Sequence, residues 1–161
     1  YLEAIVEKLK NGKDFVIAFS DYREIKNGEE IPLTTNLKIK KALLFPLRFS
    51  QKSRFIKRRV LSLGNAICCP SVTLNLKKVG NTPYKTELKS DLDWDTWDKM
   101  AGIKGRFLYI PKELMCHRIH EESETSNLIE NKLNFIEIIF TFHFINDSFQ
   151  KFSSINLNSN F

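Results

Sequence analysis

Phe15-Val16-Ile17-Ala18-Phe19-Ser20-Asp21-Tyr22 is the stretch on which the fold turns. Its first five residues form a continuous apolar run, the pattern of a strand buried on both faces rather than one with a solvated side. Upstream, Leu2, Ile5, Val6 and Leu9 recur at helical spacing until Asn11-Gly12, so residues 1–11 read as an amphipathic helix. Downstream, Asn27-Gly28 marks a tight turn. Helix, buried strand and turn in this order form one unit of an α/β sheet.

The pattern continues with residues 36–63, expected to be helical in two pieces broken near Pro46. In the second piece Phe55, Ile56, Val60 and Leu63 form an apolar stripe, and Arg54, Lys57, Arg58 and Arg59 crowd the remaining faces. Gly64-Asn65 ends that helix, Val72-Thr73-Leu74 favours a strand, and Gly80-Asn81-Thr82-Pro83 is a loop. A helix is expected over residues 93–104, ended by Gly102 and Gly105, then a short strand over 107–110 stopped by Pro111 and another over 114–119. Residues 124–139 return to helix, capped by Ser123 or Thr125. Residues 134–161 differ from the rest. They hold seven of the 13 phenylalanines and five asparagines, and read as an atypical tail, non-native or partly disordered.

At 161 residues, 42% hydrophobic and 27% charged, the chain is long enough for one domain with a real core. It opens on Tyr1 inside an amphipathic pattern, which reads as a portion of something longer. No stretch offers the ~20 apolar residues of a membrane-spanning helix. The net charge of +6 is unevenly spread: residues 31–86 hold no Asp or Glu and 12 Lys or Arg. That asymmetry suggests a polyanionic partner, phosphates or an anionic membrane touched peripherally through residues 38–59; the alternative is a solvated basic face. Cys68, Cys69 and Cys116 are odd in number and two are adjacent, which fits buried thiols in a reducing compartment.

Chemistry concentrates in Asp91-Leu92-Asp93-Trp94-Asp95-Thr96-Trp97-Asp98, four acids and two tryptophans in eight residues. Asp93 reads as a helix N-cap whose oxygen accepts the N–H two or three residues on. An ionised, oriented carboxylate there can also take a proton from an attacking hydroxyl. Trp94, Trp97 and Ala101 share one helical face, either core wall or sugar platform, while Asp95 and Lys99 are spaced as a surface pair. In Cys116-His117-Arg118-Ile119-His120 a strand would put Arg118 and His120 on one face and His117 on the other. Arg118 and His120 together suit a diphosphate or its bound metal; the alternative is a solvent-facing edge strand. No glycine-rich phosphate loop, Ser-His-Asp constellation or zinc spacing is present.

Taken in order, these segments resemble the acceptor half of a family 2 glycosyltransferase of the GT-A fold. Ser20-Asp21-Tyr22 with Asn27-Gly28, the Gly64-Asn65-Ala66-Ile67-Cys68-Cys69-Pro70-Ser71 segment, residues 91–111 and His117-Arg118-Ile119-His120 carry the likeness, over roughly residues 1–133. The first position of the family's acidic pair is Leu92 here. The resemblance implies an incomplete GT-A fold: a mixed sheet flanked by helices, with the N-terminal nucleotide-binding half missing. It implies an inverting transfer of sugar from a nucleotide-diphosphate donor to a glycan or lipid-linked hydroxyl acceptor, in cell-surface polysaccharide or glycolipid synthesis. Asp93 would be the general base, Trp94, Trp97 and Asp21 would bind acceptor, and Arg118 and His120 would lie near the donor diphosphate and metal. A divalent Mg or Mn would be held mainly by the missing half. The enzyme would be cytoplasmic, at most peripheral at the inner face of the membrane, and this portion alone would be inactive. The rival readings are a non-catalytic glycan- or partner-binding remnant of the same fold and, on charge alone, a nucleic-acid-binding module; no nucleic acid is expected.

Overall fold

The computed structural model describes residues 1–10, 14–81, 84 and 92–120, so the expected helix over 124–139 and the tail lie outside the described residues. The architecture is a mixed four-stranded sheet flanked by helices. Helix α1 (Leu2–Lys10) leads into strand β1 (Phe15–Lys26). The apolar run thus opens a strand of 12 residues that continues through Ser20-Asp21-Tyr22. Asn27 and Gly28, at φ 54° and 88°, turn it into the short antiparallel strand β2 (Glu29–Glu30). Left-handed values at both central residues are what a two-residue hairpin with the natural strand twist needs.

Helices α2 (Thr35–Leu44) and α3 (Arg54–Ser62) are the two expected pieces. Thr34 and Ser53 cap them through their hydroxyls, and Pro46 sits in the 3₁₀ turn Phe45–Arg48 between them. Strand β3 (Val72–Leu74) pairs antiparallel with β1, then α4 (Leu76–Val79) and α5 (Leu92–Ala101) precede β4 (Arg106–Ile119).

The two short strands expected around Pro111 are one long strand. β4 runs parallel to β1 along its whole length, and the break at Pro111 is absorbed by a bulge. Ser20 faces Ile110, yet Asp21 faces Glu113 and Tyr22 faces Met115, so Pro111, Lys112 and Leu114 are extra residues on β4. A bulge tolerates the missing proline N–H, which a continuous ladder would not. On the side away from β1, the Phe107 N–H donates to the Gln51 carbonyl at 3.0 Å, which covers that edge at the level of the buried strand.

Side chains of β1 and β4 alternate between two apolar layers. Ala18, Leu108 and Ile110 meet Ile5 of α1 on one face. Phe19, Phe107 and Tyr109 meet α3 and α5 on the other, where Trp97 is fully buried and Phe19 stacks on Tyr109 at 5.2 Å.

The stripe expected on α3 is rotated. Val60 and Leu61 are buried, while Phe55 and Leu63 are more than half exposed. Lys57, assigned by its charge to the outer faces, is completely buried. Its Nζ donates to the carbonyls of Ile103 (3.1 Å) and Gly105 (3.2 Å) and lies 4.9 Å from the centre of the Phe107 ring. The cation therefore satisfies carbonyls left open where α5 ends and β4 begins. Gly105 makes the approach possible: its φ is +139°, and a Cβ there would come within 3.0 Å of Val16 Cγ2. Burial, then the charges of Arg54 and Lys78, lowers the Lys57 pKa to about 8.

Lys57→Met is expected to leave two carbonyls without a donor and to destabilise the fold by about 1–3 kcal/mol at pH 7, read from urea unfolding. The folded pKa lies below that of the unfolded lysine, so the wild-type advantage over Lys57→Met should be smallest below pH 8 and grow as pH rises through the window to about 10.5. An advantage that shrinks across that window would refute the assignment.

Candidate functional site

Asp93 lies inside the first turn of α5 rather than in front of it, because the helix starts at Leu92. The capping position thus falls outside the described residues. The Asp93 carboxylate accepts two hydrogen bonds: Oδ1 from the Trp94 N–H at 2.8 Å and Oδ2 from the Asn65 side-chain amide at 3.0 Å. Neither donor is the N–H two or three residues on that an N-cap would use. Asn65 reaches this place because Gly64, at φ +142°, turns the chain sharply off the end of α3. Each carboxylate oxygen keeps a second lone pair, so a half-buried Asp93 held by two donors can still accept a hydroxyl proton from a ligand.

Three side chains sense the Asp93 charge. Burial raises the thiol of Cys68 to about 11 against the Lys40 charge and the Ser71 N–H, with a small addition from Asp93, and burial, Cys69 and then Asp93 raise the hydroxyl of Tyr84 to about 12. The Cys69 thiol is raised by burial and then by Asp93. Tyr84 is 40% exposed, its hydroxyl lies 4.0 Å from Cys69 Sγ, and its ring meets Trp97 edge-on at 6.3 Å. The cluster therefore combines an oriented carboxylate, a carboxamide, an accessible tyrosine and two protonated thiols, all groups able to hydrogen-bond.

Trp94 and Trp97 belong to the core, at 5% and 0% exposure. The Trp94 indole donates to the Leu61 carbonyl at 2.9 Å, which ties α5 to the end of α3. Asp95 and Lys99 pair at 2.8 Å as the spacing required, but Asp95 is mostly covered. Asp98 is buried, its carboxyl raised mainly by desolvation, so the acids of this segment are not a surface row. Asp21 is also buried, on β1, and accepts a 2.7 Å hydrogen bond from the Tyr109 hydroxyl.

Arg118 and His120 are exposed and have no described contact with Asp93. Arg118 stands opposite Ile25, whereas the segment beside Asp93 runs into β3, whose Val72 stands opposite Phe19. Those six positions along β1 correspond to about 20 Å. His117 instead sets its ring edge-on against Tyr22 at 5.7 Å. Among the described residues no group of three His, Cys, Asp or Glu side chains converges to hold a metal ion, so the residues here do not fit a cation site by themselves. None of the described helices is long and apolar enough to cross a membrane.

Of this cluster, sequence patterning gave a chemical role to Asp93 alone; Asn65, Tyr84, Cys68 and Cys69 were not assigned to it. Asn65 carried a signal as the end of a helix and as part of the 64–71 segment of the resemblance, with no chemical role attached, and Tyr84, isolated after a loop, carried none. Comparison of the chain with protein-family models and with curated proteins finds no match.

Cys116 is exposed rather than buried as expected, while Cys68 and Cys69 are half-buried. An aromatic disulfide reagent at pH 8 should label one thiol fast and two slowly, and Cys116→Ser should remove the fast phase alone. Rapid labelling of all three would contradict the packing around Asp93.

Proposed function

We propose that this chain is the acceptor-side part of an inverting glycosyltransferase of the GT-A fold, with Asp93 as the general base. One observation carries the reading: the Asn65–Asp93 hydrogen bond joins two segments, 64–71 and 91–111, that the family resemblance had marked separately. The mixed sheet flanked by helices is compatible with that fold. It also gives a physical account of Leu92 at the first position of the acidic pair. The Asn65 amide and the Trp94 N–H orient the carboxylate in place of a neighbouring acid.

In this mechanism Asp93 takes the proton of the acceptor hydroxyl as its oxygen attacks the anomeric carbon of the donor. The bond from that carbon to the diphosphate oxygen breaks on the opposite side, and the configuration inverts. Tyr84 offers the exposed aromatic edge for the acceptor ring, while Trp94 and Trp97 support the cleft from behind. Asp21 acts through Tyr109 on the adjoining strand. This step gives Arg118 and His120 no role: the diphosphate is bonded to the carbon attacked beside Asp93, and Arg118 stands six strand positions, about 20 Å, away. The divalent cation that the resemblance implies would take its ligands from the nucleotide-binding half, and no step here depends on it. Cell-surface polysaccharide or glycolipid is the acceptor class that this reading favours.

The test joins the chain to a nucleotide-binding half and compares sugar transfer with and without Asp93→Asn. Loss of the base is expected to lower kcat by about 10²- to 10⁴-fold with little change in acceptor KM. Unchanged turnover in Asp93→Asn would remove Asp93 from the base role. The chain alone is expected to transfer no sugar.

A further inference from the structure

The basic run of residues 38–59 is resolved by the fold into a buried part and a displayed part. Lys57 is consumed by the α5–β4 turn, and Val60 and Leu61 of α3 face the core, so that face of α3 is taken up by its own domain. The turn between α2 and α3 is different. Phe49 is 77% exposed, the highest value among the large apolar side chains described, and Phe45 is 52% exposed. Their rings meet edge-on at 5.4 Å, and the Arg48 guanidinium lies 5.5 Å from the centre of the Phe45 ring. Behind them a surface cavity of about 400 Å³ is lined by Arg48, Phe49, Ser50, Lys52, Ser53 and Arg106, among others. The N-terminus of α3 starts at its rim with Ser53 as cap, adding the positive end of a helix of nine residues. No acid occurs between residues 31 and 86, and Asp14, whose charge reaches Lys52 and Arg106, is itself paired with Lys78.

We propose that this turn is a docking tip for an anionic lipid surface. Phe45 and Phe49 enter the boundary between headgroups and acyl chains, and Arg48, Lys52 and the basic cavity receive lipid phosphates. Two adjacent phenylalanines held out in water on a turn that contains Pro46 gain by transfer into such a boundary. Exposed cations beside them gain from the negative surface potential, and the cavity supplies room for a phosphate group. A nucleic acid would also meet positive charge and aromatic rings. The geometry favours lipid because the two phenylalanines pack edge against face on each other instead of presenting parallel stacking platforms. The inference is independent of the chemistry at Asp93.

The full chain is mixed with vesicles of phosphatidylcholine, with or without phosphatidylglycerol, and floated on a density gradient. Binding is expected only with phosphatidylglycerol, and to weaken with added salt. Arg48→Gln with Lys52→Gln should weaken partitioning by about fivefold per charge, and Phe49→Ser by about tenfold or more. Lys8→Gln with Lys10→Gln removes the same charge from α1 and should change binding by no more than about twofold. Because these side chains are exposed, the variants should keep the wild-type circular dichroism. Phe49→Trp adds a second readout, a blue shift of the added emission on phosphatidylglycerol vesicles. The proposal is overturned if the chain ignores phosphatidylglycerol vesicles, if the α1 variant loses as much binding as the Arg48 and Lys52 variant, or if Phe49→Trp emission does not shift. Tight binding of a single-stranded oligonucleotide that depends on Phe49, with no vesicle binding, would assign the tip to nucleic acid instead.

Discussion

The parallel pairing of β1 with β4 is the constraint on which everything else depends. Two strands separated by some 80 residues of chain lie side by side from Phe15 and Arg106 to Lys26 and Ile119. A parallel neighbour cannot be supplied by a hairpin, so the intervening chain must cross over and return. That crossover is α2, α3, β3, α4 and α5, and its path brings the ends of α3 and α5 together over one face of the sheet. The hydrophobic gain is concentrated there, with Phe19, Phe107, Tyr109, Trp94 and Trp97 in one continuous cluster.

A single buried cation finishes this arrangement. Where α5 hands over to β4 the chain turns at Gly105, and its carbonyls would face the interior without donors. Lys57 supplies them from α3, and the Phe107 ring offers its negative face to the same charge. The cost of burying the ammonium is recorded in its lowered pKa, and the hydrogen bonds it makes offset that cost. The opposite end of α5 carries Asp93, so the register that Lys57 fixes at one end of the helix also sets the carboxylate against Asn65 at the other.

The two ends of the α3–α5 layer thus do different work. One holds the half-buried carboxylate, with its amide partner, tyrosine and thiols. The other faces solvent through the α2–α3 turn, with exposed phenylalanines and exposed cations.

Much of this was legible in the chain itself. The run Phe15–Phe19 declared a doubly buried strand, Asn27-Gly28 declared the turn after it, and Pro46 lies where the paired helices break. These are local or periodic signals, and local physics produces them. Three features were not legible. Lys57 reads as a surface charge, because only the carbonyls of Ile103 and Gly105, 46 and 48 residues away, make its burial favourable. Pro111 reads as a strand terminator, because only a partner strand as long as β1 lets β4 bulge and continue. Asp93 reads as a helix cap, because the amide that orients it comes from Asn65, 28 residues earlier. The sequence by itself determined which segments could be helix or strand and where charge would accumulate. Tertiary structure alone decided which charges would be buried, which acid would be oriented and which aromatics would be left in water, since each of those depends on groups brought together from distant parts of the chain.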